Sequence, residues 1–255
     1  MAVNPSMLHN PAATKIAVEG LHKQFGELPV VGGVEFNVRD GEFVAIVGPS
    51  GCGKSTLLKM LAGFEHPDRG AVRIGGDVVT KPSPRAIVIS QHGAVFPWLT
   101  VRENLMFGLQ GKEVGDKAAL ADHYAEMVGL KGFETSYPHQ LSGGMLKRVE
   151  IARALVVKPE ILYMDEPFSA LDALMNLKMR NELLRILQEE RHTVLLITHD
   201  VEEALYLADR VLVLSPRPTR IQKVFEIAHP HPRRVSHPEL QEMKEAILAE
   251  LGLTV

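Results

Sequence analysis

Apolar and polar positions along the chain alternate between two kinds of pattern. Short β-like runs at Ile16 to Val18, Val34 to Val38 and Phe43 to Val47 are separated by Gly-rich turns and predict strands. The run Phe43 to Val47 is apolar throughout, as expected of a strand buried on both faces of a parallel sheet. It leads straight into a Gly-rich loop and an apolar helix, Ser55 to Leu61, closed by Gly63. Ile161 to Met164 and Val194 to Thr198 are two further apolar strands with polar residues at their carboxyl ends, the edge at which open α/β sheets bind ligands. Between about Phe96 and Val157 the spacing is helical, which predicts an inserted helical subdomain. In Pro238 to Leu251, Leu240, Met243, Ile247 and Leu251 share one face, Glu239 and Glu242 lie near the start, and Gly252 closes the helix.

Two less regular stretches complete the pattern. Residues 1–13 hold two Pro and two Asn with no period and predict a loose arm. Residues 217–238 are rich in Pro, His and Arg and predict a strand followed by an extended linker. His229, His231 and His237 lie there near Arg233 and Arg234; metal or anion binding is one reading, and the Pro spacing favours a solvated linker. The expected organisation is an arm at 1–13, an α/β domain at 14–220 with the helical insertion at about 96–157, and a C-terminal linker and helix at 221–255.

Composition narrows the function. Of the 255 residues, 45% are hydrophobic and 23% charged, an ordinary globular mix. The net charge of −3 argues against a chain that coats itself with nucleic acid. A single cysteine, Cys52, excludes an intramolecular disulfide framework and a multi-cysteine zinc site, and fits a reducing compartment. No apolar run approaches the roughly 18 residues of a membrane span, and the N-terminus has neither the charged nor the apolar region of a secretory leader. The expectation is a cytoplasmic chain that needs a partner to hold it at any membrane.

The chemistry begins at Gly48, Pro49, Ser50, Gly51, Cys52, Gly53, Lys54, Ser55 and Thr56, which fit G-x-x-x-x-G-K-[ST]. Small residues let backbone N–H groups converge on phosphate oxygens, and the following helix aims its positive end at the same anion. Lys54 supplies a point charge to the β and γ phosphates, and the Ser55 hydroxyl is placed to ligate Mg²⁺. The strand at 161–164 ends in Asp165, a candidate to hold Mg²⁺ through its water shell, and Glu166, a candidate to polarise an attacking water. His199 follows the strand at 194–198, where an imidazole can hydrogen-bond a γ-phosphate oxygen. Leu141, Ser142, Gly143, Gly144 and Met145 open a helix; Ser142 is a good N-cap, and Met145, Val149, Ala152 and Val156 make one apolar face. That is a second helix start able to meet an anion.

In combination these motifs resemble the nucleotide-binding subunit of ATP-binding-cassette (ABC) transporters from about Ile16 to Pro216. The resemblance covers the phosphate loop at 48–56, the Q-loop Gln91, the signature Leu141 to Met145, the acidic strand 161–166, the D-loop Ser169-Ala-Leu-Asp172 and the switch residue His199, in the family's order. It implies an α/β P-loop NTPase core of RecA type with a mostly parallel sheet, an N-terminal antiparallel β subdomain and an inserted helical subdomain. It implies that Phe25 stacks on adenine, that Gln91 touches Mg²⁺ or the attacking water, and that Ser142, Gly143 and Gly144 contact the γ-phosphate held by a second copy. Asp172 would support the seam between copies. The implied reaction is ATP hydrolysis with Glu166 as base, Lys54, Mg²⁺ and His199 stabilising charge, and closing and opening of the dimer driving a transmembrane permease. Such a subunit lies peripherally on the cytoplasmic face of the membrane and serves an extracytoplasmic solute-binding protein only indirectly.

Shorter segments bear on the branch. Pro97-Trp98-Leu-Thr-Val101, the Met145 ending of the signature and Leu214-Ser-Pro-Arg-Pro218 resemble the nitrate, sulfonate and taurine importers. Leu146-Lys147-Arg148 departs from the basic residue and Gln that often precede this arginine; Val95-Phe96 and His92-Gly93 depart too. Trp98 fits either a buried satellite core or the groove that receives a permease's coupling helix in ABC importers. Cys52 reads as a small spacer in the loop, where alkylation would obstruct ATP. The competing function is a soluble ABC ATPase acting on nucleic acid or ribosomes, against which stand the single cassette, the lack of long heptads and the single Cys. Intact Lys54, Glu166 and His199 speak against a non-hydrolysing regulatory cassette.

Overall fold

The computed structural model describes residues 14–91, 95–169 and 172–253. The arm at 1–13, His92 and Gly93 after the Q-loop, and Ala170 and Leu171 of the D-loop lie outside the described residues. The described residues divide into two compact units, one formed by those within 14–86 and 192–253 and the other by those within 87–191.

The first unit opens with two long strands, β1 (Thr14–Phe25) and β2 (Leu28–Arg39), paired antiparallel. They are far longer than the short runs the apolar pattern predicts. The alternation breaks because the register shifts between Val18 and Leu21, where Gly20 takes a φ of +55°. A bulge with glycine at positive φ changes which face successive side chains occupy while the ladder continues. β4 (Arg69–Ile74) pairs antiparallel with β1, and β5 (Asp77–Val78) pairs with β4. Gly70 is required at that crossing, since a Cβ there would lie 2.3 Å from the Glu19 carbonyl oxygen.

The same unit holds a parallel core. β3 (Phe43–Val47) is flanked by β8 (Thr193–Ile197) and β9 (Arg210–Leu214), both parallel to it, and every residue of the three strands is buried. This accounts for the apolar runs Phe43 to Val47, Val194 to Ile197 and Val211 to Leu214. β10 (Ile221–Glu226) runs antiparallel along β9. Helix α1 (Lys54–Leu61) follows β3. It ends in a Schellman motif, with Phe64 N–H donating to the Lys59 carbonyl at 2.8 Å, Gly63 N–H to Met60 at 3.2 Å, and Gly63 at φ +78°. Helix α6 (Val201–Leu207) follows β8 and is N-capped by Asp200. Helix α7 (Pro238–Glu250) buries Leu240 and Ile247, with Met243 and Leu251 half-buried on the same face.

The second unit contains β6 (Ala86–Ile89) and β7 (Ile161–Asp165) with four helices, α2 (Val101–Phe107), α3 (Lys117–Met127), α4 (Gly143–Leu155) and α5 (Ala173–Glu189). Among the described residues between Phe96 and Val157 there is no strand, as the helical spacing predicts.

One buried ion pair locks the amino edge of the parallel core. Arg210 Nε lies 3.0 Å from Glu42 Oε1, with the two side chains 3% and 6% exposed. Arg210 Nη2 also donates to Glu42 Oε2 at 3.1 Å, and Glu42 Oε2 accepts the Arg39 N–H at 2.7 Å. Removing one partner of such a pair leaves an uncompensated buried charge, which costs about 3–5 kcal/mol. Glu42→Gln is therefore expected to lower unfolding stability by about that amount, read as a reduced midpoint in urea. An unchanged midpoint would show that solvent reaches Arg210.

Candidate active site

Gly48 to Gly53 turn sharply between the carboxyl end of β3 and the amino end of α1. Gly51 and Gly53 sit at φ +72° and +120°, conformations that side chains other than glycine adopt only under strain. A Cβ on Gly53 would lie 2.8 Å from Val30 Cγ1 and 3.2 Å from Thr219 Oγ1; one on Gly48 would lie 3.0 Å from Leu214 Cβ. At Gly53 both the torsion and the space demand glycine, at Gly51 the torsion, and at Gly48 the space. Because α1 starts at Lys54, its first N–H groups have no intrahelical acceptor and face the loop.

Lys54 is 8% exposed, and its ammonium donates to the carbonyl oxygens of Gly48 at 2.8 Å and Pro49 at 3.0 Å. These two partners are neutral carbonyls, which solvate the charge of the ammonium without cancelling it. A buried cation beside a helix amino terminus is a ready receptor for phosphate. Ser55 is exposed on the first turn, where its hydroxyl is an oxygen donor of the kind Mg²⁺ prefers. Cys52 is 2% exposed. Burial pushes its thiol up from the ordinary value, against the pull of Lys54. Its burial and raised thiol make it a poor nucleophile.

The loop is held from outside by the segment that runs from the marked stretch Leu214 to Pro218 into Thr219. Thr219, in the turn joining β9 to β10, donates its hydroxyl to the Cys52 carbonyl. Its N–H donates to Val30 O at 2.8 Å and its carbonyl accepts from Gly32 N–H at 2.9 Å. Arg217, two residues earlier, reaches within 3.7 Å of a Cβ position on Gly51. Thr219 lies outside the marked motifs, and Arg217 was marked only as part of Leu214 to Pro218, because each meets the loop only through the return of β10.

Also in the first unit, Phe25 ends β1 and is 47% exposed, with the Lys23 ammonium 5.3 Å from its ring centroid. It is not a core residue and its ring is accessible to a ligand. His199 is exposed just past the end of β8. Next to it, Thr198 donates to Glu203 Oε2 at 2.5 Å, and the Thr198 hydroxyl accepts the Asp200 N–H at 3.0 Å, fixing the start of α6.

In the second unit, Asp165 is the half-buried last residue of β7. Glu166 follows at φ +47°, a strained torsion for a non-glycine residue and of the kind that gathers at functional sites. Its carbonyl accepts from the Ser169 hydroxyl at 3.0 Å and the Ser169 N–H at 3.3 Å, which brace the turn. Gln91 Nε2 donates to Glu166 Oε2 at 3.2 Å, so the structure brings these two candidates together. Within this unit the Asp165 carboxylate and the Gln91 amide oxygen are hard oxygen donors, of the kind that Mg²⁺ prefers.

Ser142 caps α4 by accepting the Met145 N–H at 3.3 Å, and a Cβ on Gly143 would meet open space. Asp172 caps α5 by accepting the Met175 N–H at 2.9 Å. The departure at Lys147 has a structural consequence. Its ammonium is buried, donating to Glu150 Oε2 at 2.7 Å and to the Ser90 carbonyl at 2.8 Å. The signature helix is thereby tied to the residue before Gln91. Glu150, one helical turn away from Lys147, supplies the countercharge.

The loop before α2 is also organised by a residue the motifs do not mark. Asn104 is fully buried; its Oδ1 accepts the Phe96 N–H at 2.9 Å, and its Nδ2 donates to the carbonyls of Phe96, Leu99 and Thr100 at 2.9–3.1 Å. The Arg153 guanidinium lies 4.9 Å from the Phe96 ring centroid. With its backbone so fixed, the loop presents Trp98 outward at 69% exposure, which excludes the buried satellite core. Trp98, Leu99, Met106 and Phe107, with Glu103 and Lys117 at the margin, line a cleft of about 380 Å³.

Comparison with known proteins agrees with this geometry. A model of the ABC transporter family matches residues 31–169. A putative ATP-binding protein of Brucella abortus is 46% identical over 86% of this chain and 85% of its own length. The aliphatic sulfonates import ATP-binding protein SsuB of Bacillus cereus is 43% identical over 89% of this chain and 90% of its own. A solved dimeric bacterial ABC transporter cassette aligns with a TM-score of 0.75 at 29% identity, covering 84% of this chain and 100% of that one. A dimeric cassette in a post-hydrolysis state, bound to ADP and Pi, aligns over the same shares with a TM-score of 0.73. With its buried loop lysine and capped signature helix, this chain belongs to the ABC transporter family and is an ATP-binding cassette that hydrolyses ATP.

Proposed function

We propose that the chain energises a membrane importer of small anionic solutes, sulfonates being the best-supported class alongside nitrate and taurine. The observation that carries the coupling half of this reading is the exposed apolar cleft around Trp98. An ATPase has no chemical use for such a surface, whereas a helix of a permease does, and aromatic residues favour interfaces. The solute class is supported by relatives named as aliphatic sulfonate importers at 41–43% identity. No described helix is long and apolar enough to cross a membrane. In this reading the permease holds the chain peripherally at the cytoplasmic face, and an extracytoplasmic binding protein delivers solute to the permease.

In the proposed mechanism Phe25 stacks on adenine, and the loop from Gly48 to Thr56 wraps the phosphates. Lys54 stabilises negative charge on the β and γ phosphates. Ser55, Asp165 and Gln91 would hold Mg²⁺, which supplies Lewis-acid neutralisation of phosphate charge when bound. Glu166 takes the proton from the attacking water, and His199 donates to the γ-phosphate as charge builds. Gln91, now bonded to Glu166, would exchange that bond for the water. Ser142, Gly143 and Gly144 would meet the γ-phosphate held by a second copy, with Asp172 at the seam. Beside Asp172, Leu174 and Leu177 are 74% and 51% exposed, which suits a surface that a second copy covers.

Glu166→Gln separates the steps. It is expected to bind ATP yet lose turnover about 10²–10⁴-fold, the usual worth of a general base, and its mass by light scattering should double with ATP. Near-normal turnover would remove Glu166 as the base, and a mass unchanged by saturating ATP would contradict closure of two copies. Thr219→Val removes the hydroxyl that braces Cys52. A hydrogen bond contributes about 0.5–1.5 kcal/mol, so ATP affinity should fall by roughly two- to tenfold by equilibrium binding. Unchanged affinity would show that the loop holds its shape without this bond. Trp98→Glu is expected to lower solute uptake in permease-containing vesicles about tenfold or more while ATP still binds; full uptake would place the permease elsewhere.

A further inference from the structure

The C-terminal segment brings together a group that the ATPase reaction does not use. His229 lies in the linker after β10, His237 is the residue before α7, and Glu239 is in the first turn of that helix. Their ligand-type atoms all lie within 4.8 Å of one another. His229 Nε2 is 3.0 Å from Glu239 Oε2, and the rings of His229 and His237 meet edge-on with centroids 4.8 Å apart. The linker that the Pro spacing predicts returns onto the start of the helix, with His229 half-buried and His237 and Glu239 exposed.

We propose that His229, His237 and Glu239 form a binding site for a borderline divalent transition-metal ion of the Zn²⁺ type, which clips the linker to α7. Two imidazoles and one carboxylate suit Zn²⁺ rather than Mg²⁺ or Ca²⁺, which prefer all-oxygen sets. A tetrahedral ion with bonds of about 2.1 Å sets its donors about 3.4 Å apart, so only side-chain rotations are needed from the present spacing. A fourth position remains for water.

The backbone that carries these ligands is fixed without help from them. Arg233 is 5% exposed and donates from Nε to the His229 carbonyl at 2.7 Å and from Nη1 to Leu205 O at 3.1 Å and to Ala208 O. It thus straps the linker to the end of α6. His237 N–H donates to Arg234 O at 2.9 Å, and Gln241 Nε2 donates to Val235 O at 2.7 Å. Buried Leu240 and Ile247 anchor the helix itself. Ligands on a pre-ordered backbone bind at a lower entropic cost than ligands on a free chain. A cation here also lies near the positive end of α7, so the negative charge of Glu239 is needed to offset it.

The test is titration of the metal-stripped full chain with Zn²⁺ alone, by calorimetry or equilibrium dialysis. Wild type should bind one ion through this cluster with micromolar affinity, and His229→Ala, His237→Ala and Glu239→Gln should each weaken that binding about tenfold or more. All three side chains are at least partly exposed, so the variants should melt with wild type in the absence of metal. Zinc should also slow hydrogen exchange of the amides at 229–237 in wild type and not in the His229→Ala/His237→Ala double variant. Absence of binding at saturating zinc, or binding of the same strength in the double variant, would overturn the proposal and leave His229 and Glu239 as an ion pair only.

Discussion

A buried ammonium held by two backbone carbonyls is the constraint on which the first unit depends. Lys54 is held by the carbonyls of Gly48 and Pro49, so the loop must curl back on itself to bring those oxygens to Nζ. That curl needs positive φ at Gly51 and Gly53. It also needs a rigid strand on one side, which the wholly buried β3 provides, and a brace on the other, which is Thr219. Each feature holds the loop in the shape an anion would otherwise have to impose. A phosphate bound there would cost little reorganisation.

The second unit stores its readiness differently. Glu166 is kept in a left-handed torsion by the Ser169 brace, and its carboxylate is engaged by Gln91. Gln91 is itself adjacent to Ser90, whose carbonyl is bound by Lys147 of the signature helix. A shift of that helix is therefore felt at the residue before Gln91 through a direct contact. Lys147 and Glu150 neutralise each other, so this tie is charge-balanced.

Much of this was legible in the sequence where the information is local. Gly48 to Thr56 was readable because the apolar strand, the glycines and the helix follow one another without interruption. Phe43 to Val47 matched β3 residue for residue, since a strand buried on both faces needs no partner to reveal itself. The N-terminal strands were underestimated because bulges at Gly20 and its neighbours break their alternation. Thr219, Asn104 and Lys147 were invisible for another reason. Thr219 meets Cys52 across most of the chain, and a lone threonine carries no period. Asn104 looks like any polar residue on a helix until its amide is seen to close a loop. Lys147 looked like a departure from a motif, and only packing shows that Glu150 compensates it.

The central claim is that the loop around Lys54 recognises the β and γ phosphates. The most direct measurement is the affinity of the wild-type chain for ATP, ADP and AMP by equilibrium binding in the presence of Mg²⁺. The account predicts that affinity falls steeply once the β and γ phosphates are removed, with AMP far weaker than ATP. Equal binding of ATP and AMP would mean that recognition rests on the base and sugar, and would contradict the role given to Lys54 and its glycine loop.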